Sequence, residues 1–316
     1  MSRINRLSAY PAGRITLREV GLRDGLQIVR SWPSTAAKID WLTREHAAGV
    51  RHFELGSFLP AARFPQFADL PALIDAAGTL PGLHAAVLTL NERAMDAAFA
   101  SPISEVVCVV SATEEHSLAN IRRSRADSVA LVRRAAQMRD AQAPDVLVNA
   151  GIAMALGCSI TGAVDPSEVL RLAEACLDAG ADIVGIADTV GYAGPREVAM
   201  LCDGMTRLCG DTPFIVHLHD TRGTGIANAA AALDHGAPVL DGALAGLGGC
   251  PFAPGATGNV VFEDLAYLCE RMGFATGIDI PALAAIRGIL ATEMPDETLF
   301  GALARSGPPA NMAWRA

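Results

Sequence analysis

The amino-acid sequence predicts a TIM (β/α)8 barrel with a C-terminal helical extension. Short apolar runs rich in β-branched residues alternate with segments rich in alanine and leucine that carry charges at helical spacing. Eight such runs lie between residues 15 and 244, which matches the strand number and size of this fold. A doubly wound sheet is the alternative, but no phosphate-binding glycine fingerprint follows the first run.

The eight apolar runs are interpreted as parallel strands. Such strands are buried on both faces, so they read as continuous apolar sequence. The predicted strands are residues 15–20, 52–57, 84–88, 106–111, 146–150, 183–187, 214–219 and 239–244.

The segments between and after these runs carry the signals of helix ends. Asp165 and Gly194 each precede a proline, which favours the first position of a helix. Gly49, Gly180 and Gly236 stand where helices are expected to end. The predicted helices are residues 36–48, 91–99, 125–139, 166–179, 195–208, 225–235, 262–272 and 281–293.

No linker and no second apolar core is evident, so the sequence predicts one domain over residues 1–316. The barrel is expected at about residues 14–245. A glycine-rich loop and the C-terminal helices are expected at about 246–306, and an irregular tail at 307–316.

Composition excludes several classes of protein. Apolar residues make up 51% and charged residues 19% of the 316, which excludes disorder. The net charge of −9 argues against nucleic-acid binding. The uncharged stretch at residues 146–164 is interrupted by Asn149, Ser159, Thr161 and three glycines, so no membrane span is expected.

The cysteines and the first residues bear on location. Seven cysteines, none in a CxxC pair, suit a reducing compartment better than disulfides or structural zinc. The first residues lack the apolar run of a signal peptide. We therefore expect a cytoplasmic protein.

Polar residues at predicted strand ends point to one functional face. In a TIM barrel the active site lies at the C-terminal ends of the strands. His217 and His219 alternate on one predicted strand and so face the same side. Asp24 follows the first strand, which is the eighth strand's neighbour in a closed barrel. A carboxylate and two imidazoles suit Mg²⁺ or Mn²⁺ without excluding zinc or iron, and two ordinary strand histidines are the alternative.

Three further residues in this region are candidates for a functional role. Arg23 either forms a structural ion pair, for example with Glu54 or Asp188, or faces developing negative charge. Cys250 lies in a loop with several glycines that could gate a site, although a lone cysteine is usually inert. Asn259 ends that loop, where its amide oxygen could turn back to a metal.

The motifs resemble those of the 3-hydroxy-3-methylglutaryl-CoA lyase family, within the DRE-type TIM-barrel metallolyases. They occur in family order over roughly residues 14–280, and the last of them is the most specific. They are EVGLRDGLQ (19–27), FELGSF (53–58), ALGC (155–158), ADTVG (187–191), HLHDTRG (217–223) and AGLGGCPFAPGATGN (245–259).

The resemblance implies a retro-Claisen reaction that cleaves 3-hydroxy-3-methylglutaryl-CoA to acetyl-CoA and acetoacetate. It implies an acyl-CoA substrate, a divalent cation (Mg²⁺ or Mn²⁺) and a homodimer. Each motif position then acquires an implied role. The implied metal ligands are Asp24, His217, His219 and Asn259, the implied catalytic residues are Arg23, Cys250, Asp188 and Glu54, and the implied substrate-binding residues are Gln27, Ser57 and Gly249.

The sequence also departs from the family pattern. Ile28, Val29 and Arg30 replace the usual continuation of DGLQ, and Gly185 stands where a serine is common. The metal set is intact, so a related 3-hydroxyacyl-CoA, longer or otherwise substituted, is an alternative substrate. Two other hypotheses are a Claisen synthase or carboxyltransferase-like relative, which the cysteine loop disfavours, and a non-catalytic barrel, which the metal set disfavours.

Overall fold

The computed structural model describes residues 7–248 and 258–309 and contains a closed barrel of eight parallel strands. The strands follow one another around the barrel in chain order, and the eighth pairs with the first to close it. They are β1 Thr16–Glu19, β2 His52–Ser57, β3 His84–Thr89, β4 Glu105–Ser111, β5 Leu147–Ala153, β6 Ile183–Asp188, β7 Phe214–Leu218 and β8 Val239–Gly242. The predicted fold class is confirmed.

Helices connect the strands and continue beyond them. Each predicted helix is present, with ends displaced by up to a few residues. They are α1 Thr35–Ala47, α2 Leu70–Gly78, α3 Glu92–Phe99, α4 Glu114–Ile121, α5 Arg125–Gln142, α6 Pro166–Asp178, α7 Pro195–Cys209, α8 Gly225–Asp234, α9 Phe262–Arg271, α10 Ile280–Glu293 and α11 Ala302–Ser306. The sequence did not reveal α2, α4 and α11, which are too short to show a clear helical period.

The last two strands end earlier than predicted, and the C-terminal extension is the reason. His219 lies beyond β7 and pairs with Asn259 in an isolated antiparallel bridge. Ala243 lies beyond β8 and forms a bridge with Val261. The chain after each strand therefore bonds to the extension, which brings Asn259 to the mouth of the barrel.

A glycine lets the extension dock against α1. Gly49 follows that helix with φ +104°, and a Cβ there would lie 2.1 Å from the carbonyl oxygen of Gly277. The Asp279 amide donates to the Ala48 carbonyl at 2.7 Å. Gly49 is thus required both by the helix end, as expected, and by this close contact.

The N-terminal end of the barrel is closed by side chains. An apolar layer lies there, and the Tyr10 hydroxyl donates to the Glu105 carboxylate at 2.6 Å. The apolar layer consists of Tyr10, Leu147, Ile183, Ile215 and Val239. These side chains fill the N-terminal end of the interior.

The described cysteines and helices agree with the composition. The six described cysteines are buried and form no disulfide with one another, and burial raises the pKa of Cys108, Cys176 and Cys202 to about 12. They are small core residues. Within residues 7–248 and 258–309, no helix combines the length and hydrophobicity needed to span a bilayer.

Three buried glutamates lie where β1, α1 and α9 meet, and they are Glu19, Glu45 and Glu263. Glu19 accepts hydrogen bonds from the Gly21 and Leu244 amides, both at 2.9 Å, yet burial raises its pKa to about 8. Burial, and then the Glu19 charge, raise the pKa of Glu45 well above its usual range. The Glu45 carboxyl oxygens have no hydrogen-bond partner among the described residues.

These raised pKa values predict a loss of stability at alkaline pH. A carboxyl whose pKa is higher in the folded than in the unfolded state stabilises the fold below the unfolded pKa, and that stability is lost as the pH rises through the folded pKa. For Glu19 the window runs from about 4.5 to about 8. We expect Glu45→Gln, which cannot ionise, to raise Tm by a few degrees at pH 9 and to change it little at pH 5.

Thermal unfolding at pH 5, 7 and 9 measures this effect. Glu115→Gln, the same change at an exposed position of α4, is the matched control and should be neutral at each pH. Equal effects of Glu45→Gln at pH 5 and pH 9 would contradict the interpretation.

Candidate metal centre and active site

A π-helical turn after β1 positions two charged side chains at the barrel mouth. In this turn, Gly21–Gly25, the amides of Arg23, Asp24 and Gly25 all donate to the Val20 carbonyl, at 3.1, 2.8 and 3.1 Å. Such wide turns are rare and often occur at functional sites. The turn holds Arg23 and Asp24 above the interior of the barrel.

Asp24, His217 and His219 form a cluster with the geometry of a metal site. The Nε2 atoms of the two histidines are 3.1 Å apart. Asp24 Oδ2 lies 3.5 Å from His219 Nε2 and 3.9 Å from His217 Nε2. One ligand atom from each residue lies within 4.8 Å of the others. An octahedral ion with bonds of about 2.1 Å has adjacent ligands about 3 Å apart, so the donor set fits a divalent cation. The predicted convergence of these three residues is confirmed.

Charge in the cluster also suits a cation. Burial raises the pKa of Asp24, but Arg23 and the two histidines outweigh it and hold that pKa well below the usual range. The carboxylate is therefore ionised. The His219 Nδ1 atom has no hydrogen-bond partner among the described residues, so the ring is oriented by its Nε2 side.

Asp241 on β8 supports His217 and was not found by sequence reasoning. His217 Nδ1 lies 3.1 Å from Asp241 Oδ2, and the two residues are register partners across β7 and β8. Burial lowers the pKa of His217, but the contact with Asp241 and the charge of Asp24 raise it above its ordinary value. A carboxylate behind a histidine typically orients its ring for a metal. The available signal was a charge inside an apolar strand run.

Removing the Asp241 charge is expected to weaken metal binding without removing a ligand. We expect Asp241→Asn to lower Mn²⁺ affinity about 10- to 100-fold, as for other residues that orient ligands. Titration calorimetry with Mn²⁺ measures the change. Asp203→Asn is the matched control, because Asp203 makes a similar contact with His235, 2.8 Å at the surface. Unchanged affinity in Asp241→Asn would contradict the orienting role.

Asn259 reaches the same cluster from the C-terminal extension. Its Nδ2 atom donates to Asp24 Oδ2 at 2.8 Å and to the Leu247 carbonyl at 2.9 Å. Its buried Oδ1 atom has no hydrogen bond. Gly248 permits this approach, since it has φ +96° and a Cβ there would lie 2.7 Å from Asn259 Nδ2. The amide thus contacts a cluster member and keeps one oxygen available.

Arg23 forms ion pairs with two carboxylates at the mouth. Its Nη1 donates to Asp24, and its Nη2 lies 2.7 Å from Glu54 Oε2. Gln27 Oε1 accepts a longer bond from Arg23 Nη1 at 3.3 Å. Burial raises the pKa of Glu54 against the opposing effect of Arg23, and Glu54 Oε1 has no hydrogen bond. These contacts fix the guanidinium in place. The geometry is compatible with both hypotheses for Arg23, namely a structural ion pair and a group that faces developing negative charge.

The remaining predicted residues have different positions. Asp188 at the end of β6 accepts hydrogen bonds from the Tyr192 and Ala193 amides at 2.9 and 3.1 Å, so its carboxylate organises the following loop. Ser57 is buried with no hydrogen bond from its hydroxyl among the described residues. Cys250 and Gly249 lie outside the described residues. The predicted roles of all four stay predictions.

The cluster opens into a cavity of about 540 Å³ inside the barrel. Arg23, Asp24 and Glu54 line one wall together with both histidines, and side chains of β3 to β6 line the opposite wall. Small-molecule sites typically have volumes of about 300–1,000 Å³ and a few convergent polar groups.

The chain forms a closed parallel barrel with a candidate metal centre at its C-terminal mouth. It therefore belongs to the class of (β/α)8-barrel proteins, whose functional residues lie at the C-terminal ends of the strands. The sequence profile of the HMGL-like family matches residues 14–290, and the chain belongs to this family.

Similar proteins and structures agree with this assignment. Hydroxymethylglutaryl-CoA lyase YngG of Bacillus subtilis is 33% identical over 274 residues, covering 87% of this chain and 91% of the relative. The (R)-citramalyl-CoA lyase of Chloroflexus aurantiacus is 36% identical over 281 residues, covering 86% and 88%. An HMG-CoA lyase structure from Acinetobacter baumannii, in complex with coenzyme A and 3-methylmalate, has 31% identity and a TM-score of 0.87, covering 99% of both chains. These relatives are carbon–carbon lyases and support lyase activity.

Proposed function

We propose that this chain is a divalent-cation-dependent lyase that cleaves 3-hydroxy-3-methylglutaryl-CoA to acetyl-CoA and acetoacetate. The observation that carries the proposal is the arrangement of one wall of the cavity. There, the cluster of Asp24, His217 and His219 lies directly beside the Arg23–Glu54 ion pair.

The residues of this wall suit the steps of a retro-Claisen cleavage. The 3-hydroxyl loses its proton, the C2–C3 bond breaks, C3 becomes a ketone, and the electron pair remains on C2 as the thioester enolate. A bound Mg²⁺ or Mn²⁺ would lower the pKa of that hydroxyl. Arg23 stabilises the enolate oxygen, because its charge is already fixed by Glu54 and Asp24.

Proton transfer needs a basic group on the cavity wall with an oxygen that can take up a proton. Glu54 has a raised pKa and an oxygen without a hydrogen bond. We therefore assign it to base chemistry at the hydroxyl, with Asp188 supporting it from β6. Cys250 is assigned to protonation of the C2 carbanion from its loop.

The cation is assigned to four residues. Asp24, His217 and His219 would supply a carboxylate and two imidazoles, and the Asn259 Oδ1 atom, which has no hydrogen bond among the described residues, would supply a fourth donor. Oxygen donors with open positions favour Mg²⁺ or Mn²⁺.

The thioester is assigned to the mouth of the barrel. Gln27, Ser57 and Gly249 are proposed to contact the substrate, and the coenzyme A in the Acinetobacter baumannii structure supports an acyl-CoA ligand. Cleavage of citramalyl-CoA is a second candidate activity, which the relative from Chloroflexus aurantiacus favours.

A coupled assay of acetyl-CoA release tests the proposal. Chelator-treated protein should be inactive on 3-hydroxy-3-methylglutaryl-CoA, and added Mn²⁺ or Mg²⁺ should restore turnover. The same assay with citramalyl-CoA measures the second activity. Folded, Mn²⁺-loaded protein that cleaves neither thioester would refute both of these substrates, and condensation of acetyl-CoA with a 2-oxo acid would indicate a synthase.

A further inference from the structure

The lining of the cavity has a charged half and an apolar half. Side chains from β1, β2, β7 and β8 carry the charges, including Arg18, Glu54, His217 and Asp241. Among the described residues, those of β3 to β6 that line the cavity include none with a charge. These are Leu88, Val107, Val109, Asn149, Gly151, Ile152, Ala153, Gly185, Ile186 and Ala187.

Two adjacent glycines make the apolar half hollow. Gly151 on β5 and Gly185 on β6 are register partners, and both line the cavity. A Cβ at Gly151 would meet no atom closer than 3.9 Å, and one at Gly185 none closer than 3.6 Å. Neither has a positive φ. Their backbone conformation and packing therefore do not require glycine, whereas barrel interiors are normally filled by bulky branched side chains.

The hollow extends downward to Asn149. The Asn149 Oδ1 atom lies 3.9 Å from the position of a Gly185 Cβ, is buried and has no hydrogen bond. Its Nδ2 atom donates to Glu105 at 2.8 Å. The apolar walls thus end at a polar floor, which limits the length of any apolar group that enters from the metal cluster.

We propose that the Gly151–Gly185 hollow binds the C3 substituent of the acyl group, and that the preferred substrate is a 3-hydroxyacyl-CoA whose C3 carries an apolar chain longer than methyl. This inference rests on the proposed lyase function. The hollow lies beside β7, where Gly185 pairs with Ile215 and Ala187 pairs with His217, so it is one layer deeper in the barrel than the metal cluster. A substrate whose hydroxyl faces that cluster can place a C3 substituent in the hollow.

The reaction is unchanged by the longer chain. The hydroxyl proton goes to a base, the C2–C3 bond breaks, the electron pair on C2 takes up a proton, and acetyl-CoA leaves. The second product is a ketone that carries the apolar chain in place of methyl.

A series of three thioesters tests the assignment: 3-hydroxy-3-methylglutaryl-CoA and its homologues in which propyl or pentyl replaces the C3 methyl. Burial of each methylene should raise kcat/KM about fourfold. We expect wild-type protein to prefer the pentyl compound over the methyl compound by more than about tenfold. Gly151→Leu should lose at least that preference, because the leucine side chain occupies the hollow.

Two further variants separate filling of the hollow from general damage. Gly185→Ala is a smaller change at the partner glycine and should reduce the preference partially. Gly288→Leu is the matched control, because Gly288 is exposed on α10 and a Cβ there meets nothing within 4 Å. It should leave the chain-length preference as in wild type.

Binding of inert thioesters that lack the 3-hydroxyl separates the two proposals. Affinity that rises with chain length in wild type but not in Gly151→Leu supports the hollow even if no thioester is cleaved, in which case only the lyase proposal fails. Wild-type affinity and kcat/KM that do not increase from methyl to pentyl would overturn the assignment of the hollow.

Discussion

Arg23→Met is expected to lower kcat for acetyl-CoA release by about two to three orders of magnitude, the usual effect of removing a fixed donor to an oxyanion. Methionine retains most of the apolar stem and removes the guanidinium that pairs with Glu54 and Asp24. KM should change little, because the lost interaction strengthens as the enolate forms. Steady-state kinetics at saturating Mn²⁺ measures both constants.

This variant also decides between the two readings of Arg23. If Arg23 serves only as an ion-pair partner, kcat is retained in molecules that remain folded and bind Mn²⁺, and that result would contradict the catalytic assignment. Arg44→Met is the matched control, because Arg44 pairs with Asp40 on an exposed face of α1. Arg23→Lys adds a test of geometry, since lysine keeps the charge but lacks the planar fork that reaches two carboxylates.

His219→Ala is expected to lower Mn²⁺ affinity by at least about 100-fold and to abolish metal-dependent turnover. It removes one of three clustered donor atoms, whereas loss of a residue that only orients a ligand already costs about 10- to 100-fold. The variant should still fold, because the His219 Nδ1 atom has no hydrogen bond among the described residues.

Thermal unfolding gives a readout that is independent of activity. A metal at 100 times its Kd stabilises a folded protein by about 2.7 kcal/mol, so Mn²⁺ should raise Tm of wild type measurably. The shift should disappear in His219→Ala and persist in His235→Ala, where the imidazole pairs with Asp203 at the surface. A full Mn²⁺ shift in His219→Ala would refute the metal centre.

Several parts of the site followed from short-range sequence rules. His217 and His219 face one point because alternate residues of a strand share a side, and Asp24 joins them because closure makes β8 the neighbour of β1. The approach of Asn259 also matched the prediction, although its amide nitrogen, not its oxygen, faces Asp24.

Other parts depended on strand register, which the sequence does not display. Asp241 lies beside His217 because β7 and β8 pair at that position. Gly151 and Gly185 form one hollow for the same reason, through the pairing of β5 with β6. In the sequence, Gly185 is visible only as a departure from the family pattern, and nothing there relates it to Gly151.

The sequence by itself determined the order of the eight strands and of eight of the helices, the barrel, and the end of the barrel that carries the candidate site. These follow from local hydrophobic period and helix-end signals, which act over a few residues. Only the tertiary structure decided which charges pair, how Glu19 and Glu45 come to share a buried region, and where the interior is hollow. The physical reason is that pKa values and cavities are set by desolvation and contacts between residues far apart in the chain, which appear only when the barrel closes.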